Sequence, residues 1–94
     1  MVPKRIRMER VYVTVNTDFC WSGTIEPRSI RWKDGRIFKI DRVQNFDPAP
    51  LDSVNAGDRY TVIINGKARY LFFRRINAVN RNILGKWWVE KPAE

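Results

Sequence analysis

The sequence predicts an all-β protein, a small SH3-like barrel of about six short strands. Two observations indicate strands: apolar and polar residues alternate in short runs, and two pairs of runs flank an Asp-Gly or an Asn-Gly dipeptide, the strongest short-range hairpin signal. The third observation is the length of the chain, 94 residues, which requires a compact core. A barrel suits such a chain, because closing the sheet removes its exposed edges. An OB-like barrel is the alternative, although it normally has longer strands and a helix between the third and the fourth.

The first two strands follow from alternation and from one proline. Val11, Val13 and Val15 alternate with polar neighbours, which is typical of a half-buried strand. The second strand is predicted over residues 24–33. It should be distorted at Pro27, because proline donates no hydrogen bond to a ladder and suits an edge or a bulge.

The best-defined element is the hairpin over residues 30–43, in which Asp34-Gly35 separates two alternating runs. Because side chains alternate with period two, the loop length decides which residues share a face. A two-residue turn would put Ile30 and Phe38 on opposite faces. A three-residue loop pairs these two residues, gathers the apolar side chains on one face and places Gly35 at positive φ. The sequence therefore predicts the three-residue loop, followed by a third strand over residues 36–46 with a β-bulge at Asp41-Arg42.

The second hairpin covers residues 59–74 and turns at Asn65-Gly66. The same argument predicts a three-residue loop here too, because that loop pairs Val62 with Ala68. It collects the apolar side chains on one face of the hairpin: Tyr60, Val62, Ala68, Tyr70 and Phe72.

The end of the domain is less regular. Residues 75–85 form a weak helix or an irregular excursion, with Gly85 as the stop. Residues 86–90 form a final strand, in which Trp87 and Trp88 point to opposite faces. One of the two should lie in the core, and the other should be exposed or packed under a loop.

The net charge of +8 is unevenly distributed along the chain. Residues 59–89 hold seven basic residues and no acidic one, while the other 63 residues hold 11 basic and 10 acidic groups. This asymmetry predicts a polyanionic partner, DNA or RNA. The alternative is that the charge only keeps a basic protein in solution.

The sequence offers no catalytic or metal-binding motif. It has no histidine, the commonest general base and zinc ligand, and its carboxylates never occur two residues apart. Cys20 is the single cysteine and is expected to be partly buried and inert. The five glycines are isolated turn residues, not a phosphate-binding loop. We therefore expect a protein that is not an enzyme and that binds no cofactor and no metal.

The chain is expected to form one domain, residues 11–90, between a basic arm over residues 1–10 and a tail over residues 91–94. It has no apolar run long enough to span a membrane and no apolar segment near its start that is typical of a secretory signal. With one cysteine, a reducing cytoplasm is the expected compartment.

Four segments carry a resemblance to a known family. They read I-R-W-K-D-G-R-I-F-K-I-D-R-V at residues 30–43, A-G-D-R-Y-T-V-I-I-N-G-K at residues 56–67, Y-L-F at residues 70–72 and W-W-V-E at residues 87–90. Together they resemble a family of small uncharacterised bacterial β-barrel proteins. The resemblance implies a small barrel and a bacterial source, and it implies no established activity. This chain departs from the family pattern at residues 74–85, where its connection is longer and basic.

The candidate binding residues combine arginine with aromatic side chains. Arginine pairs bidentately with phosphate, and an exposed tryptophan offers a stacking platform for a base. The predicted nucleic-acid-binding residues, contacting mainly phosphate with little sequence preference, are Arg69, Arg74, Arg75, Arg81, Lys86 and Trp88. The alternative function is a protein-interaction or accessory module that uses an aromatic groove or a sheet edge.

Overall fold

All regular elements in the described part of the computed structural model, residues 7–52, 56–76 and 82–93, are β-strands. In chain order they are β1 (Met8–Tyr12), β2 (Thr14–Phe19), β3 (Ile25–Arg31), β4 (Ile37–Lys39), β5 (Arg42–Asp47), β6 (Asp58–Ile64), β7 (Lys67–Arg75) and β8 (Gly85–Pro92). The prediction of an all-β fold is confirmed.

The strands form two antiparallel sheets, and the chain bends and passes from one sheet to the other at two corners. The five-stranded sheet has the order β1-β8-β7-β6-β5, and the three-stranded sheet has the order β2-β3-β4. At one corner β1 continues into β2 through Val13, whose N–H donates to the carbonyl of Trp87 at 3.1 Å. At the other corner the N–H of Ile40 donates to Arg28 in the small sheet, and the N–H of Asp41 donates to Ile63 in the large sheet. The backbone N–H groups at both corners are thus satisfied by hydrogen bonds where the chain passes from one sheet to the other.

These corners explain why eight strands replace the six that were predicted. Alternation continues through the corner at Val13, and at Asp41-Arg42 it slips by one residue, so the sequence predicted one strand at each corner where the hydrogen bonding shows two. At Asp41-Arg42, where a bulge was predicted, the chain changes sheets instead, and the register shift of β5 lies between Val43 and Asn45. The distortion predicted at Pro27 is confirmed: the β2–β3 register shifts between Asn16 and Thr17, and Thr17 is the partner of Pro27.

Strand bounds differ from the prediction at both ends of the domain. β1 begins at Met8, inside the segment predicted as an arm, and β8 continues to Pro92, inside the predicted tail. Within the helix or excursion predicted over residues 75–85, residues 77–81 lie outside the described part of the chain, and Gly85, predicted as the stop, begins β8.

The main core lies between the two sheets. Its buried members are Ile30, Ile40, Tyr60, Val62, Leu71 and Phe73. Trp87 packs against this cluster, with its ring centroid 4.6 Å from Phe73 and 5.4 Å from Tyr60. Burial of apolar surface at roughly 25 cal/mol per Å² drives the association of the sheets.

The first hairpin has the register that the sequence predicts. Ile30 is paired with Phe38, and the N–H of Trp32 donates to the carbonyl of Arg36 at 2.8 Å, which encloses a three-residue loop. Gly35 has a φ of 89°. Ile30 is buried, Phe38 is half-buried, and Ile37 on the opposite face is exposed. The predicted three-residue loop, with Ile30 and Phe38 on one face, is confirmed.

The second hairpin corrects the prediction. Ile64 is paired with Lys67 and Ile63 with Ala68, so the loop has two residues, Asn65 and Gly66. Both residues have positive φ, 51° and 76°, as a type I′ turn requires. The apolar side chains of this hairpin are consequently divided between two faces: Tyr60, Val62, Leu71 and Phe73 on one, Ala68, Tyr70 and Phe72 on the other.

Two glycines with the same backbone conformation differ in what surrounds them, which gives a matched stability test. Gly57 and Gly66 both have a φ of 76°, but a Cβ on Gly57 would overlap the Trp88 ring, whereas Gly66 has no heavy atom within 4 Å of that position. Gly66→Ala should cost about 1 kcal/mol from the left-handed conformation alone. Gly57→Ala should cost about 1–3 kcal/mol more, from overpacking. Denaturant unfolding of both variants measures the difference, and equal losses would contradict the packing of Trp88 against Gly57.

Tyr60 gives a test at alkaline pH. Burial raises the pKa of its phenol, and the nearby Asp58 carboxylate raises it further. A raised pKa in the folded state means that the contribution to stability is complete below the ordinary tyrosine pKa of about 10 and is lost as the pH rises through the higher folded value. Tyr60→Phe should therefore lose less stability than the parent protein between about pH 8 and pH 11. Equal losses in urea unfolding at the two pH values would contradict this role.

Candidate nucleic-acid interface

The five-stranded sheet has two faces of different character. Paired residues share a face, so the inner face, which covers the main core, carries Tyr60, Leu71 and Trp87. The outer face points away from the small sheet. Its basic residues are Arg10, Arg42, Arg59, Arg74 and Lys86, its acidic residues are Asp47 and Glu90, and its aromatic residues are Tyr12, Tyr70, Phe72 and Trp88.

Trp88 is the centre of a second apolar cluster on the outer face. Its ring stacks on Phe72 at a centroid distance of 5.5 Å and an interplanar angle of 8°. The guanidinium carbon of Arg10 lies 4.2 Å from the Trp88 ring centroid, and Tyr12 packs at 6.1 Å. The indole N–H has no acceptor among the described residues. Within the described ranges, stacking and burial therefore hold this ring.

A second cation–aromatic pair lies beside this cluster. The guanidinium carbon of Arg59 is 4.6 Å from the Tyr70 ring centroid, and its Nη2 donates to Asp47 at 2.9 Å. The hydrogen bond that Arg59 donates to Asp47 raises the pKa of the guanidinium. Asp47 thus fixes Arg59 over Tyr70 and neutralises part of its charge.

Two cations lie directly opposite each other across β7 and β8. Arg74 is paired with Lys86 in the ladder, and the Nζ of Lys86 lies 5.6 Å from the Tyr12 ring centroid. Like charges in directly opposed positions repel each other and destabilise a sheet. The pair therefore places two positive charges at neighbouring positions of the outer face.

The structure divides the residues predicted for binding among three places. Arg74 and Lys86 share the outer face. Arg69 and Arg75 belong to the inner face, where Arg69 lines a cleft and Arg75 lies 3.7 Å from the Asp58 carboxylate. Arg81 lies outside the described residues. Adjacent Arg74 and Arg75 thus point to opposite sides of the sheet and do not act as one phosphate clamp.

Trp88 requires a correction. It was predicted to be an exposed stacking platform, but its exposed fraction is 0%, so it supports the outer face from beneath. The exposed rings on that face are Tyr12 and Tyr70, with exposed fractions of 48% and 55%. Arg10 and Arg59 also belong to this face and were not predicted. The Arg-x-Tyr spacing of residues 10–12 places both side chains on one face of a strand and was the available signal.

The remaining sequence expectations concern cysteine, metals and membranes. Cys20 is half-buried, as predicted. In the described ranges no group of three or more Cys, Asp or Glu side chains could hold a metal ion. Those same ranges contain no helix that is long and apolar enough to cross a bilayer.

Comparisons with protein-family models, with curated proteins and with solved structures found no match to this chain. The resemblance to the small bacterial family therefore stays a prediction from the sequence motifs, and the outer face has to be interpreted from its own geometry.

The four tryptophans differ enough in exposure for a direct test of the outer cluster. Trp21 is 100% exposed on the loop between β2 and β3, whereas Trp88 is 0% exposed. Trp21→Phe should remove the largest share of the fluorescence that acrylamide quenches, and Trp88→Phe should leave that share intact. Stern–Volmer plots of the two variants measure this. A loss of quenchable emission in Trp88→Phe would show that the Arg10–Trp88–Phe72 stack is open to solvent.

Proposed function

We propose that this protein is a non-catalytic nucleic-acid-binding protein that contacts backbone phosphate with low sequence specificity through the outer face of its five-stranded sheet. The observation that carries the proposal is the charge and composition of that face. It holds five basic residues against two acidic ones, interleaved with four aromatic rings. Basic and aromatic side chains on one sheet surface are the two components of single-strand binding.

The stacked arginines support this proposal through their geometry. A guanidinium over an aromatic ring is attracted by the negative face of the ring, which restricts the position of the cation. Arg10 lies over Trp88 and Arg59 over Tyr70, so both cations are held at the outer face before a ligand arrives. Less side-chain entropy is then lost when a phosphate binds.

The exposed tyrosines supply the second component. Tyr12 and Tyr70 are about half exposed, and they flank the pair of the buried Trp88 and the half-buried Phe72. Base–aromatic stacking contributes about 1–3 kcal/mol per base and accepts any base. Low sequence preference follows, because stacking on an aromatic ring accepts any base and phosphate contacts carry no sequence information.

The proposal also includes the type of β-fold. We infer an SH3-like barrel in a cytoplasmic bacterial protein, in which the two shared corners at Val13 and Ile40-Asp41 join the sheets. Small barrels of this kind present one sheet face to a ligand, as OB-folds do.

The direct test is a titration of the protein with a fluorescein-labelled oligothymidylate and with a duplex of mixed sequence, at several salt concentrations. We expect binding to both, with an affinity that falls linearly in log–log form as salt rises. Flat titrations at low salt would overturn the proposal.

A pair of double variants locates the interface. Arg74→Ala with Lys86→Ala removes the opposed cations of the outer face, and Arg31→Ala with Lys39→Ala removes the same charge from the outer side of the small sheet. Loss of two phosphate contacts should lower the salt slope on single strands by about 1.4, whereas the control pair should lower it little. Thermal unfolding should show both variants within about 0.5 kcal/mol of the parent. Equal slopes for the two double variants would place the interface elsewhere.

A further inference from the structure

The β7–β8 ladder ends before either strand does. Its last pair is Phe72 with Trp88, and from there the strands separate. β7 keeps β6 as a partner back to Lys67, and β8 keeps β1 as a partner to Pro92. Among the described residues, no ladder pair joins residues 67–71 to residues 89–92. Two strand edges therefore face each other across a gap, each with unpaired backbone groups.

The gap forms a cleft whose floor contains the aromatic rings of Trp32 and Phe38. Its volume is about 630 Å³, and its walls come from both open edges. The small sheet supplies Trp32 and Phe38, which are half-buried beneath it, and Ile64 and Val89 flank them. The open edge of residues 67–71 is about 17 Å long at the rise of an antiparallel strand. That length fits an extended segment of about five residues.

The side chains of β7 alternate between the two faces of the sheet, and this alternation decides which charges line the cleft. Lys67 and Arg69 lie on the inner face of β7, and neither has an ion-pair partner among the described residues. Lys91 lines the same side and is 3.4 Å from Glu9. On the outer side of the cleft the side chains are Ala68 and Tyr70 from β7 and Glu90 from β8, so the lining holds three cations and one carboxylate.

We propose that this cleft binds an extended peptide segment of a partner protein by β-strand addition, and that the segment alternates acidic and apolar residues. In an added strand, opposed residues share a face. Carboxylates would thus lie opposite Lys67 and Arg69, and apolar side chains opposite Ala68 and Tyr70. Glutamate suits the acidic positions, because its methylene groups can cover Trp32 and Phe38 while its carboxylate reaches Arg69.

The partner is a different protein and not a second copy of this chain. A self-complementary strand would need two acidic residues separated by one apolar residue. The ten acidic residues of this sequence never occur with that spacing. The cations of the two sites lie on opposite faces of the sheet, Lys67 and Arg69 on the inner face and Arg74 and Lys86 on the outer face, and Tyr70 borders both sites.

The probe is a fluorescein-labelled peptide of four Glu-Val repeats, measured by fluorescence polarisation without nucleic acid. Two control peptides keep its charge: one has the four Glu before the four Val, and the other is N-methylated at every peptide bond so that it cannot donate to a ladder. We expect binding of the alternating peptide alone. Hydrogen exchange should then slow at amides of residues 67–71 and 89–92. Equal binding of either control peptide, or no added protection, would overturn the proposal.

A charge reversal with a matched control assigns the contact to the cleft. Arg69→Glu should weaken binding of the alternating peptide about tenfold, and a Lys-Val repeat peptide should then bind this variant better than it binds the parent. Arg31→Glu makes the same charge change on the small sheet and should have little effect. Equal weakening by both variants would show long-range attraction only. If oligothymidylate displaces the peptide and itself requires Arg69, the cleft binds nucleic acid and the proposal is wrong.

Discussion

The pairing of Phe72 with Trp88 is the interaction on which the rest of the structure depends. It is the last pair of the β7–β8 ladder, and it stacks on the outer face of the sheet. On one side of this pair the strands stay together and bring Arg74 opposite Lys86. On the other side they separate and open the cleft. Trp88 also covers Gly57, so the entry into β6 is fixed by the same ring.

The adjacent tryptophans give the sheet an apolar cluster on each face. Trp87 enters the main core with Tyr60 and Phe73, and Trp88 supports the outer cluster with Phe72. The buried Trp88 ring holds Arg10 and Tyr12 beside it on the outer face, and its indole N–H finds no acceptor among the described residues.

The two hairpins show why sequence reasoning succeeded at one place and failed at another. The rule was that apolar side chains share one face. It holds for Ile30 and Phe38, because the small sheet buries one face only. It fails for Tyr70 and Phe72, because the large sheet carries a second cluster on its outer face, and the loop length inferred from the rule is then wrong by one residue. The assumption of a single apolar face also led to the wrong prediction that Trp88 is an exposed stacking platform. The positive charge was visible in composition, but its division between faces depends on this register.

The two chain segments that pass from one sheet to the other have a mechanical consequence. Val13 and Ile40-Asp41 are bonded at the corners, so separation of the small sheet would pull on β1 and β5, the outermost strands of the large one. Opening of either sheet should therefore disturb the other. Chain connectivity favours the coupling of local openings into one cooperative transition, and the outermost strands of the large sheet are held by covalent continuity as well as by hydrogen bonds.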